Sequence, residues 1–206
     1  MDTKIIFDLE ATCEDKSFDP NFDLETIEIG AIKIIENKIV DEYQTFIKPV
    51  RTPKLTNYCK ELTSITQEQV DNGQSFQDAI LEFQKWAGNE AEYLSWGYYD
   101  RKQFEKDCFY HSLDIEWLKK HRSIKHEYQT LKKLQRAIGV KKALKLEGIE
   151  FEGVHHRGID DARNIAKIYL SAFPLQESRP NTIGKLDSQD DPFCIYKHDW
   201  DNTFQT

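Results

Sequence analysis

The chain has 206 residues, 39% hydrophobic and 12% aromatic, with 28 basic and 36 acidic side chains and a net charge of −8. That is enough to bury a full core in one domain, with or without an appendage, and no segment approaches the ~18 consecutive apolar residues of a membrane span. The acidic balance argues against a non-specific polyanion binder held by a basic surface, though not against a nucleic-acid enzyme whose carboxylates hold metal ions.

In chain order, residues 1–10 are too short and too soon charged to form the apolar core of a signal peptide, so a cytoplasmic location is expected. Lys4 to Cys13 reads as a buried strand that ends in two carboxylates. Asp8 and Glu10 point to one face of it, Phe7 and Leu9 to the other. Two adjacent anions repel and are costly to desolvate unless a cation sits between them, which suggests a divalent-metal site; a solvated strand terminus is the alternative. Glu14 to Glu25, with Pro20, reads as a loop. Thr26 to Ile35 is a second strand, turning at Glu36-Asn37-Lys38 into a third, Ile39 to Ile47, so at least one hairpin is antiparallel.

From Val50 the pattern becomes helical. Thr66 with Gln69, and Ser75 with Asp78, have capping-box spacing, and Phe76, Ala79, Ile80, Phe83, Trp86 and Ala87 follow on one face. Ala91 to Gly97 reads as a short strand and Asp100 to Tyr110 as a helix. A helix is expected over Tyr128 to Ile138 with Gly139 as its C-cap, and a shorter one over Lys142 to Glu147 before Gly148. The last helix runs from Gly158 to Phe173 and Pro174 stops it. Strands followed by helices interleaved with strands make an α/β or α+β layer fold. Residues 1–174 form the domain. Residues 175–206, polar apart from Pro192 to Tyr196, read as a tail, docked on the domain or free of it, and not as a second domain. The four cysteines, Cys13, Cys59, Cys108 and Cys194, form no C-x-x-C, so neither a zinc knuckle nor a disulfide framework is suggested.

Two later acidic positions bear on the first pair. Asp100 falls just beyond a strand at a helix start, where it serves either as a favourable charge at the helix dipole or as part of a site. In the last helix, Asp160 shares a polar stripe with Asn164, Lys167 and Ser171, whereas Asp161 shares an inward stripe with Ile165 and Ile168. An inward carboxylate needs a partner, and a metal ion would serve. His156, five residues before Asp161, is a capping or surface histidine or, beside a metal cluster, the natural general base for activating water.

In this combination and order, Asp8-x-Glu10, Asp100, and His156 with Asp161 resemble the DEDDh class of 3′→5′ exonucleases. The flanking DLEATC, EIGAI, SWGYYDRKQFEKDC and HHRGIDDARNIA resemble its ERI-1-like and KapD-like subgroup. The resemblance covers residues 4–173, with one departure: Tyr98 stands where an acid often does. It implies a ribonuclease-H-like α/β fold, with a mixed five-stranded sheet whose second strand is antiparallel, and two Mg2+ or Mn2+ ions. Asp8 would bridge both ions, Glu10 and Asp161 would complete one site, and Asp100 would assist the other. His156 would deprotonate the attacking water. Leu9, Ala11, Thr12, Trp96, Gly97 and Phe151 would contact the substrate; Leu9, Trp96 and Phe151 are either base-stacking surfaces or core residues. The expected substrate is the 3′ end of single-stranded RNA, released as nucleoside 5′-monophosphates, with no membrane partner. The alternatives are single-stranded DNA, or a regulatory protein acting by protein contact.

Overall fold

The computed structural model describes residues 3–14 and 22–174. Its central strand, β1 (Thr3–Ala11), is buried on both faces from Ile5 onward, so it is covered from both sides. Ile5, Phe7 and Leu9 enter one core cluster and Ile6 the other. β2 (Thr26–Ile35) pairs antiparallel with β1 and with β3 (Lys38–Phe46). The turn between β2 and β3 puts Glu36 and Asn37 at φ 50° and 60°, the left-handed conformation that a two-residue hairpin of the right twist requires. β4 (Glu92–Ser95) and the two-residue β5 (Arg122–Ser123) add parallel strands on the other side of β1, giving the order β3-β2-β1-β4-β5. The result is the mixed five-stranded sheet expected, with the second strand running against its neighbours.

One face of the sheet is closed by α3 (Phe76–Ala87) and α4 (Tyr99–Tyr110), which bring Phe76, Ile80, Phe83 and Phe104 onto Phe7. Each such buried ring contributes about 1.5–3 kcal/mol relative to exposure. The opposite face carries α5 (Ile124–Leu131), α6 (Val140–Glu147) and α7 (Gly158–Ala172), with Ile159, Ala162, Ile165, Ala166 and Tyr169 inward. A third, smaller cluster lies under α1 (Asn57–Thr63) and α2 (Gln67–Asp71), where Leu55, Cys59, Ile65 and Val70 meet Ile27. The expected capping box is complete on α2: the Thr66 hydroxyl accepts the Gln69 N–H, and the Gln69 side chain accepts the Thr66 N–H.

The contact between α7 and β2 sets the height of that helix above the sheet. A Cβ on Gly30 would stand 2.1 Å from the Gly158 carbonyl carbon and 2.1 Å from the Ile159 nitrogen. No side chain fits there. Gly158 is similarly confined, with the Asp8 carbonyl oxygen at 3.0 Å from its own Cβ position. The start of α7 therefore lies directly on the β1–β2 ladder.

Some sequence expectations are corrected. The helix expected over Tyr128 to Ile138 is α5, which begins earlier and stops at Leu131. Lys133 takes the left-handed conformation at φ 54°, and the N–H groups of Lys133 and Leu134 bond back to Thr130 and Gln129, a Schellman stop without glycine. Gly139 is consequently the N-cap of α6, not the end of the preceding helix. The strand β5 and a 3-10 turn at Glu116–Leu118 carry no period long enough to read. Much of the expected Glu14 to Glu25 loop and all of the 175–206 tail lie outside the described residues. Among those described, no helix is long and apolar enough to cross a membrane.

Candidate active site

The two carboxylates at the end of β1 face α7, not the α3–α4 layer. In the ladder Asp8 lies opposite Gly30 and Glu10 opposite Glu28, and a bulge follows between Glu10 and Ala11. Because Gly30 has no side chain, the first turn of α7 drops onto this part of the sheet and brings Asp161 over the strand. Asp8, Glu10 and Asp161 are all buried, and each offers an oxygen within 4.8 Å of the others'. Three carboxylates gathered this closely out of water repel strongly. A cation resolves that cost, and the donors are hard oxygens, the set that suits magnesium, manganese or calcium and not a soft metal. The residues fit a divalent ion.

Asp100 enters from α4, and a backbone requirement puts it there. β1 pairs with β4 only as far as Ile6 with Leu94, so the N–H of Leu9 lies beyond the end of its parallel neighbour. A buried N–H needs an acceptor, and Asp100 Oδ1 supplies it at 3.2 Å. Asp100 is thus buried against the strand that carries Asp8 and Glu10, though it is not one of the three residues whose oxygens converge within 4.8 Å. Its place in the first turn of α4 also sets its charge at the favourable end of the helix dipole.

His156 precedes α7 in a left-handed conformation, φ 61°, unusual for a residue with a side chain. Its N–H donates to Asp161 Oδ2 at 3.0 Å, and ring nitrogens of His155 and His156 come within 4.8 Å of an Asp161 oxygen. The rings of the two histidines lie 3.9 Å apart, and the edge of His155 meets Phe151 at 5.6 Å. The same carboxylate therefore faces the oxygen cluster and holds the histidine turn.

That turn is held by a residue the sequence reading missed. Glu28 is fully buried on β2, across from Glu10. Its carboxylate takes the Gly158 N–H at 3.1 Å, the Arg157 guanidinium at 3.3 and 3.4 Å, and the Gln44 amide at 2.6 Å. Arg157 and Gly158 immediately follow His156, so a buried ion pair fixes the chain on one side of the histidine. Asn164 does the same for the other. It is fully buried, bonding Glu152 through both its amide oxygen and nitrogen. In the polar stripe of Asp160, Asn164, Lys167 and Ser171, the first three brace the 152–154 loop, and Ser171 is exposed and bonds Glu147. Asp160 accepts the Val154 N–H at 2.9 Å and pairs with Arg163 at 2.7 Å.

The residues expected to touch substrate divide. Leu9 lies wholly within the first core cluster and Trp96 within the second, its Nε1–H donating to the Ile138 carbonyl at 3.0 Å and its ring against Tyr128. As placed, both support the site from behind, which corrects their reading as stacking surfaces. Ala11 is buried, as is Thr12, whose hydroxyl and N–H are engaged by Glu25. Gly97 is buried at φ 117°, its carbonyl taking the Ser95 hydroxyl. Phe151 is half-buried beside His155 and keeps an open face. Tyr98 and Tyr99, which precede Asp100, are also half-buried. Tyr98 stacks on His126 at 5.1 Å, which fits an aromatic where an acid was expected.

The family model described as an exonuclease, RNase_T, matches residues 5–169. A Bacillus subtilis protein, the probable 3′-5′ exonuclease KapD, is 30% identical over 187 residues, 88% of this chain and 91% of that one. Human 3′-5′ exoribonuclease 1 is 31% identical over 176 residues, and the alignment takes in 79% of this chain but only 50% of the human protein. Among solved structures, the nuclease domain of 3′hExo, a DEDDh family member bound to rAMP, has a TM-score of 0.77 at 29% identity, covering 82% of this chain and 90% of that one.

Proposed function

The chain belongs to the exonuclease family and is a divalent-metal-dependent 3′→5′ exonuclease; from that premise we propose that it trims single-stranded RNA from the 3′ end, releasing nucleoside 5′-monophosphates. The observation that carries this reading is the convergence of Asp8, Glu10 and Asp161 beside His156. RNA as the substrate is supported by relatives: one is named an exoribonuclease and another was solved with rAMP.

In this reading Asp8, Glu10 and Asp161 would hold one ion, and Asp100 would assist Asp8 with a second, Mg2+ or Mn2+. When bound, such ions would supply positive charge to the oxygens of the phosphoryl displacement. The chain's own residues do the rest. Neutral His156 accepts the proton of the attacking water, and its strained backbone is held by Asp161 on one side and by the Glu28–Arg157 pair on the other. Phe151, half-buried beside His155, is the aromatic side chain on which a terminal base stacks.

The test is degradation of matched RNA and DNA oligonucleotides bearing either a 3′-hydroxyl or a 3′-phosphate, with magnesium, with manganese and with EDTA, the products read by mass. Stepwise loss of nucleoside 5′-monophosphates from 3′-hydroxyl RNA, abolished by EDTA, supports the proposal. Faster loss from DNA would transfer it to the DNA alternative. Nucleotide release from neither would favour a protein acting by contact.

A further inference from the structure

Two thiols stand beside the site and take no part in the proposed hydrolysis. Cys59, in the first turn of α1, is fully buried. Its sulfur lies 3.7 Å from the Ala11 carbonyl oxygen, two residues before Cys13, and Cys13 itself packs against the small cluster that contains Cys59. Cys13 is half-buried, and its carbonyl takes the hydroxyl of Thr56, the N-cap of α1, at 2.5 Å. The start of α1 thus grips residues 11–13 at several points. Those residues continue directly from Glu10, across the bulge.

We propose that Cys13 and Cys59 are a redox pair, closing to a disulfide under peroxide and switching off the adjoining site. The half-buried Cys13 thiol meets the oxidant first: hydrogen peroxide oxidises it to the sulfenic acid and leaves as one water. The Cys59 thiol then attacks that sulfur and a second water departs, so two thiols lose two hydrogens and two electrons while one peroxide becomes two waters. Pairs of this kind in reducing compartments act as transient sensors and not as structural staples. Cys108 is a built-in contrast. It lies on the inward side of α4, and burial pushes its thiol up to about 12, which keeps it protonated and inert.

The cost to the site follows from distance. A disulfide holds its sulfurs about 2.05 Å apart, well inside any non-bonded contact, so closure draws residue 13 toward α1. The packed cluster of Ile27, Leu55, Ile65 and Val70 around Cys59 leaves little room for the helix to give way. The strain passes to the chain at Ala11 and Glu10, and a shift of about 1 Å in a reacting group costs on the order of 10²-fold in rate. This consequence rests on Glu10 serving the site as proposed; the disulfide itself does not.

The experiment treats the full chain with hydrogen peroxide, maps its cysteines by non-reducing peptide mass analysis, and measures hydrolysis before treatment, after it, and after dithiothreitol. The expected result is a Cys13–Cys59 linked peptide lighter by two hydrogens, loss of most activity, and recovery on reduction. The Cys13→Ser variant should match the wild type before treatment and keep its activity afterwards. Absence of the linked peptide overturns the redox pair. A linked peptide with undiminished activity, or a Cys13→Ser variant as sensitive as the wild type, overturns the switch. Inactivity of the untreated, reduced protein would count against the proposed function instead, because the crosslink is read by mass.

Discussion

Replacing Glu28 with Gln removes one charge and changes one oxygen to an amide nitrogen, with almost no change in volume. In the native structure both oxygens are used, one by Gly158 N–H and Arg157 and the other by Gln44 and Arg157. Glutamine can satisfy only one side. Its NH2 must then face a donor, and a buried donor without an acceptor costs about 1–3 kcal/mol. Arg157 also loses its counter-charge. With 18% of its side chain exposed it recovers part of its hydration, so the total stays near 2–4 kcal/mol, at the lower end of what breaking a buried pair costs. In a domain of this size that lowers Tm by about 5–15 °C. His156, one residue before Arg157, loses its brace, so kcat should fall on the order of 10²-fold with KM little changed. The assay is thermal unfolding by circular dichroism, with hydrolysis measured well below both midpoints. Glu42→Gln, which breaks an exposed pair with Arg163, is the control and should stay within about 1 kcal/mol of the wild type. A native Tm in Glu28→Gln would refute the buried-pair argument, and a lowered Tm with native kcat would refute the positioning role.

Asp8→Asn, Glu10→Gln and Asp161→Asn should each abolish hydrolysis at saturating magnesium while folding normally; near-native turnover in any of them would remove that residue from the ligand set. Asp160→Asn should keep activity and cost about 0.5–1 kcal/mol, since an amide oxygen can still accept the Val154 N–H; activity loss equal to that of Asp161→Asn would contradict the difference in their placement. His156→Ala should lower kcat about 10²–10⁴-fold with substrate Kd unchanged, and His155→Ala far less; the reverse ranking would reassign the base. Burial, with Arg101 adding to it, pushes His121 down from 6.5 to about 3, and Ser95, Phe7 and Tyr98 face its ring. The unfolded chain takes up this proton below pH 6.5 while the folded one refuses it to about 3, so the stabilisation is complete above 6.5 and declines as pH falls through that window. The acid slope of Tm should therefore flatten in His121→Gln, and an unchanged slope would count against it.

What could be read from the sequence was whatever repeats with a period. Alternation marks β1, β2 and β3 to within a residue or two, and the 3.6-residue stripe marks α7 and separates Asp161 from Asp160. The same stripe misled at α5: Leu131, Leu134 and Ile138 keep helical spacing, yet a lysine in the left-handed conformation ends the helix, and no composition rule marks that. Glu28 escaped for a different reason. In Thr26-Ile27-Glu28-Ile29 a charged residue between isoleucines reads as the solvent side of a half-buried strand, whereas β2 is covered on both faces. Its role needs Arg157 brought from 129 positions away. Asn164 was hidden likewise, since a buried amide bracing a distant loop resembles any polar residue on a helix surface.

The Gly30–Gly158 contact works as a gauge block. Because the backbones of β2 and α7 touch without an intervening side chain, the height of the start of α7 above the β1–β2 ladder is set by main-chain atoms. Most site dimensions in a protein drift a little with each substitution in the surrounding core; this one has a hard stop, so its tolerance resembles that of a machined part. A single methyl at position 30 cannot be absorbed by a small rearrangement. It must lift the start of α7, with Asp161 aboard, away from the strand that carries Asp8 and Glu10.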